Sequence, residues 1–240
     1  MPLRVCIAAR GRALFSSLRV PHAGAMLHPN PHPTRSANKD VPLRNRAFLI
    51  AALALVNSAL YVLSNANPLR EPIVMPHNTV DLALGWHAWT IWPYWLLLAL
   101  APVLALQIRE ASLLHATLRA YALALLTNLA IWLAWPTKIV RHAIADTLDP
   151  ATAAAWRLLY ALDGTGNCFP SGHVTIPLVI ATGFCAQYPQ ARRWVWIAIA
   201  ILLPSVVTTG QHSSWDILGG AATAAFGIRV ASPDLLRTLR

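Results

Sequence analysis

Charge is what this sequence has least of. Asp, Glu, Lys and Arg together make up 12% of its 240 residues, about half the share that an ordinary soluble domain carries. Acids are rarer still: nine, against 19 Lys and Arg, for a net charge of +10. That balance would suit a nucleic acid. The cations, however, sit at the ends of apolar runs instead of forming a patch, so no nucleic-acid partner is expected. Cysteine is equally sparse. Cys6, Cys168 and Cys185 form no C-x-x-C pair and no paired framework, so each reads as a buried, inert thiol. Hydrocarbon is what the chain has in abundance: 56% of residues are hydrophobic and the mean hydropathy is +0.49. Low charge combined with long apolar runs marks a membrane protein.

The apolar runs are six: 47–64, 85–107, 113–135, 171–188, 194–209 and 215–231. Spanning ~30 Å of hydrocarbon takes about 20 helical residues; the last three runs are shorter, so their ends lie near the interface. Pro93, Pro102, Pro177 and Pro204 fall inside runs, where a bundle tolerates them as kinks. The expected fold is all-α: an integral membrane bundle of six transmembrane helices over residues 46–232, followed by a short cytoplasmic tail at 233–240. Residues 1–45 lack apolar periodicity and carry Arg4, Arg10, Arg12, Arg19, Arg35, Lys39 and Arg44 against one acid, Asp40; they read as a disordered basic tail. Their first 25 residues, Arg-rich and acid-free, are like a targeting segment, with Met26 as an alternative start. In the long 136–170 connection, "LDPATAAAWRLLYALDG" reads as a short interfacial helix capped by Asp149, begun by Pro150 and ended by Gly164.

The cations orient the bundle. With the N-terminus inside, only Arg70, Lys138, Arg141 and Arg157 of the 19 fall on the outer side, as the positive-inside rule requires. Trp86, Trp89, Trp132, Trp135 and Trp215 would then form an outer aromatic belt. Small residues in the last run, Gly219, Gly220, Ala224 and Gly227, permit close helix contact.

Polar chemistry gathers at the outer ends. "NCFPSGHVTIPLV" (167–179) opens the fourth run, with Pro170 suited to a first helical turn. "TTGQHSSWDILGG" (208–220) joins the fifth to the sixth, and "WPTKIVRHAI" (135–144) follows the third. His212 and Asp216 are four apart, which on a helix puts them on one side. Asp216 would hold one ring nitrogen of His212 and leave the other as a nucleophile or base. Lys138 and Arg141, together with a helix start at Ser171, Gly172 and His173, make an anion site. Gly172 leaves room for a phosphate to approach the backbone.

"FPSGH" followed by "HSSWD" resembles the type 2 phosphatidic acid phosphatase superfamily over about residues 80–230. Pro170-Ser171-Gly172-His173 matches one signature motif fully, and His212 with Asp216 matches the end of another. The resemblance implies a six-span bundle and metal-independent phosphoryl transfer through a phosphohistidine. It makes His212 the nucleophile, Asp216 its orienting partner, His173 the acid for the leaving oxygen and Ser171 a phosphate ligand. The chain departs from the pattern twice. The arginine expected ahead of the second histidine is Val206, and the Lys138–Arg141 interval is shortened. Both departures, with "VDLALGWHAWTIWPYW" (80–95), are similar to the subgroup of inositol phosphorylceramide and sphingomyelin synthases, which move phosphorylated head groups between lipids.

The expected partners are a membrane lipid phosphate and the bilayer, at the periplasmic side of a bacterial inner membrane with the N-terminus cytoplasmic. No cofactor or metal is expected. His173, His212 and Asp216 would make a two-histidine, one-carboxylate ligand set, but Lys138 and Arg141 beside them suit a phosphate and repel a cation. The blander readings are a histidine pair satisfied by carbonyls, Asp216 and Ser171 as helix caps, and snorkelling Lys138 and Arg141. His77, His87, His115 and His142 read as structural or solvated, and Asp81 and Asp163 as loop acids. The alternative functions are an inactive membrane scaffold and a transporter or proton relay.

Overall fold

The computed structural model describes residues 40–237; the basic tail and possible targeting segment expected before residue 40 lie outside them. The described chain is all-helical in class, with almost no strand. In order it runs α1 (Leu43–Ala66), β1 (Ile73–Val74), α2 (Thr79–Leu84), α3 (Ile91–Gln107), α4 (Ala111–Ala134), β2 (Thr137–Lys138), α5 (Pro150–Leu162), α6 (Gly172–Gln187), α7 (Arg192–Leu202), α8 (Ser205–Thr208), α9 (Ser214–Ala231) and α10 (Asp234–Arg237). The two short strands pair in parallel, Ile73 with Thr137 and Val74 with Lys138.

Every apolar run is mainly helical, the fifth divided between α7 and α8, and four helical stretches are long and apolar enough to cross a membrane: Leu43–Ala66, Ala88–Gln107, Ala111–Ala134 and Pro189–Thr208. Exposure explains their role. In α1 the most apolar window has a mean hydropathy of 2.1, yet only 6% of it is buried within the protein. Such a face is untenable in water and suits a lipid solvent. The other two runs are shorter. α6 has 16 residues, about 24 Å at 1.5 Å per residue, and α9 has 18, about 27 Å.

α6 sits at the centre, packed against α3, α4 and α9. Ile180, Ala181 and Cys185 meet Ala101 and Ala105 of α3 and Ile199 of α7, while Val179 joins Ala120 and Ala124 of α4 and Ala224 of α9. The expected small-residue contact is there. A Cβ on Gly227 would lie 2.5 Å from the Ala120 carbonyl, and one on Gly220 would lie 2.6 Å from the Ser171 carbonyl. Leu235 of α10 is buried in the same core, so the C-terminal segment is docked through that residue.

Several local expectations change. α1 begins at Leu43, ahead of its apolar run, and the Arg46 guanidinium hydrogen-bonds the Leu106 carbonyl at the end of α3. Pro93 stands in the first turn of α3; only Pro102 and Pro177 lie inside helices, and Pro204 separates α7 from α8. Trp132 is 2% exposed, so it belongs to the core and not to the belt; its indole N–H donates to the Pro170 carbonyl at 3.1 Å. α5 starts as expected, with Asp149 Oδ1 accepting from the Ala151 and Thr152 N–H groups at 3.1 and 3.0 Å. It ends at Leu162 with Asp163 as its C-cap. Gly164 does not terminate it; that glycine lets the chain pass Asn65, whose amide a Cβ would strike.

Candidate active site

Two segments far apart in sequence meet at the N-terminal ends of α6 and α9. Ser171 is the N-cap of α6, and its N–H donates to the Asp216 carbonyl at 3.1 Å. Pro170 therefore precedes the helix and is not in its first turn. Beneath this joint Thr175 bonds the Ser171 carbonyl (2.9 Å), the Gly220 carbonyl (3.1 Å) and Thr223 (3.0 Å), and it accepts from Asn128 Nδ2 at 3.1 Å. Asn128 is polar because it serves this buried junction.

The histidines face each other across the joint. His212 Nε2 lies 3.1 Å from His173 Nδ1. His212 Nδ1 lies 3.0 Å from the Cys168 carbonyl and 3.3 Å from Asp216 Oδ2. Both are acceptors, so Nδ1 carries the proton and Nε2 presents its lone pair. The pairing of His212 with Asp216 does not arise on one helix face. His212 precedes the helix; Ser213 is the N-cap, and Asp216, at the third position, turns back to accept from the Ser213 N–H at 2.8 Å. One carboxylate thus caps α9 and orients the imidazole. Cys168 packs beside this turn, and burial pushes its thiol well above the ordinary value, which keeps it protonated.

Tyr94 Oη is 3.1 Å from the same His173 Nδ1 that faces His212. A single ring nitrogen serves both, so the tyrosine hydroxyl and His212 compete for it. The pair opens onto a cavity of about 230 Å³ bounded by α1, α3, α4 and α5 and lined also by Tyr61, Asp163, Asn167 and Gly172. Asp163 accepts a hydrogen bond from the Tyr61 hydroxyl. The Ser171 hydroxyl is completely buried and has no protein partner.

The expected cations do not line this cavity. Lys138 is paired with Glu71 at 2.7 Å near the surface. Arg141 binds the carbonyls of Tyr160 (3.3 Å), Asp163 (2.8 Å) and Gly164 (2.7 Å), stacks on the Tyr160 ring, and reaches Gln211 only at 3.5 Å. It neutralises the C-terminal end of α5, where the helix dipole favours a cation. Val206 is fully buried among Ile91, Tyr94, Val174 and Trp156. The His142 ring packs on Trp86. Asp81 is no loop acid: it is buried at the third position of α2, accepting from Asn78 N–H at 3.0 Å and Ser214 N–H at 2.7 Å.

Sequence reading thus brings together His173, His212, Asp216, Ser171 and Gly172. It misses Asp163, Tyr94 and Asn167. Asparagine and threonine inside apolar runs were the available signal for Asn128 and Thr175; nothing local marks Tyr94. Among the described residues no three His, Cys, Asp or Glu side chains converge to hold a metal ion. Comparison with protein-family models, curated proteins and solved structures finds no match.

Proposed function

We propose that the chain is an integral membrane enzyme of lipid phosphate chemistry, a phosphatase or head-group phosphotransferase resembling the type 2 phosphatidic acid phosphatase superfamily. In this reading all six helical runs cross the membrane, and the histidine pocket faces the periplasm of a bacterial inner membrane. One observation carries the reading: an imidazole whose Nδ1 proton is held by two acceptors while its Nε2 points at a second imidazole 3.1 Å away. A nucleophile fixed by one group and facing an acid–base partner is the arrangement that covalent transfer needs.

The lipid phosphate enters between the two histidines, opening their contact, and lies against Ser171 and the first turn of α6. His212 Nε2 attacks phosphorus in line. The phosphorus–oxygen bond to the leaving group breaks, and His173 gives that oxygen its proton. Asp216 stabilises the charge that develops on the His212 ring. Water or an acceptor hydroxyl then attacks the phosphohistidine, His173 takes its proton, and Nε2 departs with its lone pair. The pocket favours transfer of a phosphodiester head group over hydrolysis of a dianionic monoester. Among the described residues it is lined by a carboxylate, Asp163, and by no ammonium or guanidinium, so the more charged phosphate is the worse guest.

The test is a labelled phospholipid panel offered to the purified protein with and without diacylglycerol or inositol acceptors, in EDTA. Label in a new lipid indicates transfer, and released phosphate indicates hydrolysis. His212→Ala should lower either by at least about a thousandfold. No product from any donor, or full activity in His212→Ala, contradicts the proposal.

A further inference from the structure

We infer that a second cavity beside the histidine pocket holds one hydrocarbon chain of the lipid substrate; the identity of that lipid's head rests on the function proposed above. The cavity, about 210 Å³, lies between α1, α3, α4 and α6 and is walled by apolar groups such as Ile50, Leu53, Tyr121 and Ile180. Asn57, Ser58, Leu98, Gly172, His173 and Ile176 line both this cavity and the histidine pocket. The two therefore adjoin, apolar along the bundle and polar at the histidines.

The neck between them is built for the join of head and chain. Asn57 and Ser58 place an amide and a hydroxyl in the middle of α1, beside the apolar Ala54, Leu55, Val56, Ala59 and Leu60. Pro102 and Pro177 both line the apolar cavity. A helix proline has no N–H for the carbonyl four residues earlier. The carbonyls so deprived of their helical donor are those of Leu98 and His173, the same residues that line the neck. Two residues with polar side chains and two whose carbonyls lack their helical donor thus line the neck of an otherwise apolar cavity. A pure hydrocarbon would leave them unanswered; an amphipath with its ester, amide or hydroxyl region there, its chain on one side and its phosphate on the other, answers them. The outer wall is α1, only 6% of whose most apolar window is buried within the protein, so a chain would reach the cavity sideways from the bilayer.

A phospholipid carrying a photoreactive diazirine in mid-chain, mixed into phosphatidylcholine vesicles with the full-length protein, tests this without requiring turnover. Mass-spectrometric mapping should place the label on Leu53, Leu98 and Ile176, and should do so equally in His212→Ala. Ala54 lines the cavity from the exposed helix. Ala54→Trp should cut that labelling about tenfold by displacing buried methylenes, and Ala54→Leu should cut it less. Ala59→Trp, on the same helix but outside the cavity, should change nothing. Label spread evenly over the lipid-facing surfaces, or labelling indifferent to both Ala54 substitutions, overturns the inference whatever the enzyme's activity. Label in the cavity with no phosphoryl product from any donor keeps the chain subsite and rejects the proposed reaction.

Discussion

His212 and Ser171 differ in how much of their hydrogen-bonding capacity the protein uses, and that difference separates structural from functional substitutions. Both His212 nitrogens have partners. The Ser171 hydroxyl, at 0% exposure, has none. A buried unanswered hydroxyl costs stability, so Ser171→Ala should leave thermal stability unchanged or raise it by up to about 1 kcal/mol. Under the proposed function turnover should fall, because the hydroxyl would answer a phosphate oxygen; a melting curve and a rate assay on one preparation check both. Val206→Arg should not restore a phosphate ligand. It places a charge inside a packed apolar cluster, which costs at least about 2 kcal/mol in overpacking and desolvation, read as a lower melting temperature. At this scale the two motifs made the meeting of His173 and His212 legible. Lys138 and Arg141 were misread because their side chains are claimed by groups distant in sequence, Glu71 and the end of α5. Asp163 was misread for the same reason: only the fold puts it on the pocket wall.

At the scale of elements, the joint between α6 and α9 governs the histidine separation. Gly220 lets the two backbones touch, and Gly220→Ala would press a methyl to 2.6 Å from the Ser171 carbonyl. Forcing the helices apart should cost about 1–3 kcal/mol and lower turnover by moving Asp216 away from the start of α6; unchanged stability and rate would show that the joint tolerates the displacement. The start of α5 carries a pH dependence. Hydrogen bonds from Thr152 and Ala151 hold the Asp149 carboxyl below its ordinary range. A depressed folded pKa contributes stability at neutral pH that is lost as pH falls through the folded value. Amide exchange at Ala151 and Thr152, corrected for its intrinsic pH dependence, should therefore quicken only below the usual carboxylate range. In Asp149→Ala it should be fast throughout. The helices themselves were legible from apolar runs, and the α5 cap from Asp-Pro. The pairing of His212 with Asp216 was reached through a helical spacing that does not exist; a capping turn produces it, because the carboxylate answers the Ser213 N–H and the imidazole together.

For the whole molecule, lipid exposure and a polar pocket at one end are the two facts that a function must reconcile. Four helical stretches are long and apolar enough to cross a membrane, and hydropathy alone made them legible. The shorter α6 and α9 carry the histidine motifs at or near their N-terminal ends, together with the close-packed glycines. A water-facing or purely structural bundle gives no reason to bury two imidazoles and a carboxylate beside an apolar cavity. A phosphoryl carrier at a bilayer surface does, and its central claim is covalent. Protein mixed with head-group-labelled phospholipid and quenched in alkali within the first turnover should carry the label as an alkali-stable, acid-labile phosphoramidate that peptide mapping places on His212. The label should form more slowly in His173→Ala, which lacks the acid of the first step and the base of the second, and be missing in His212→Ala. Turnover of the phospholipid with no label on His212 in any of these proteins would contradict the account.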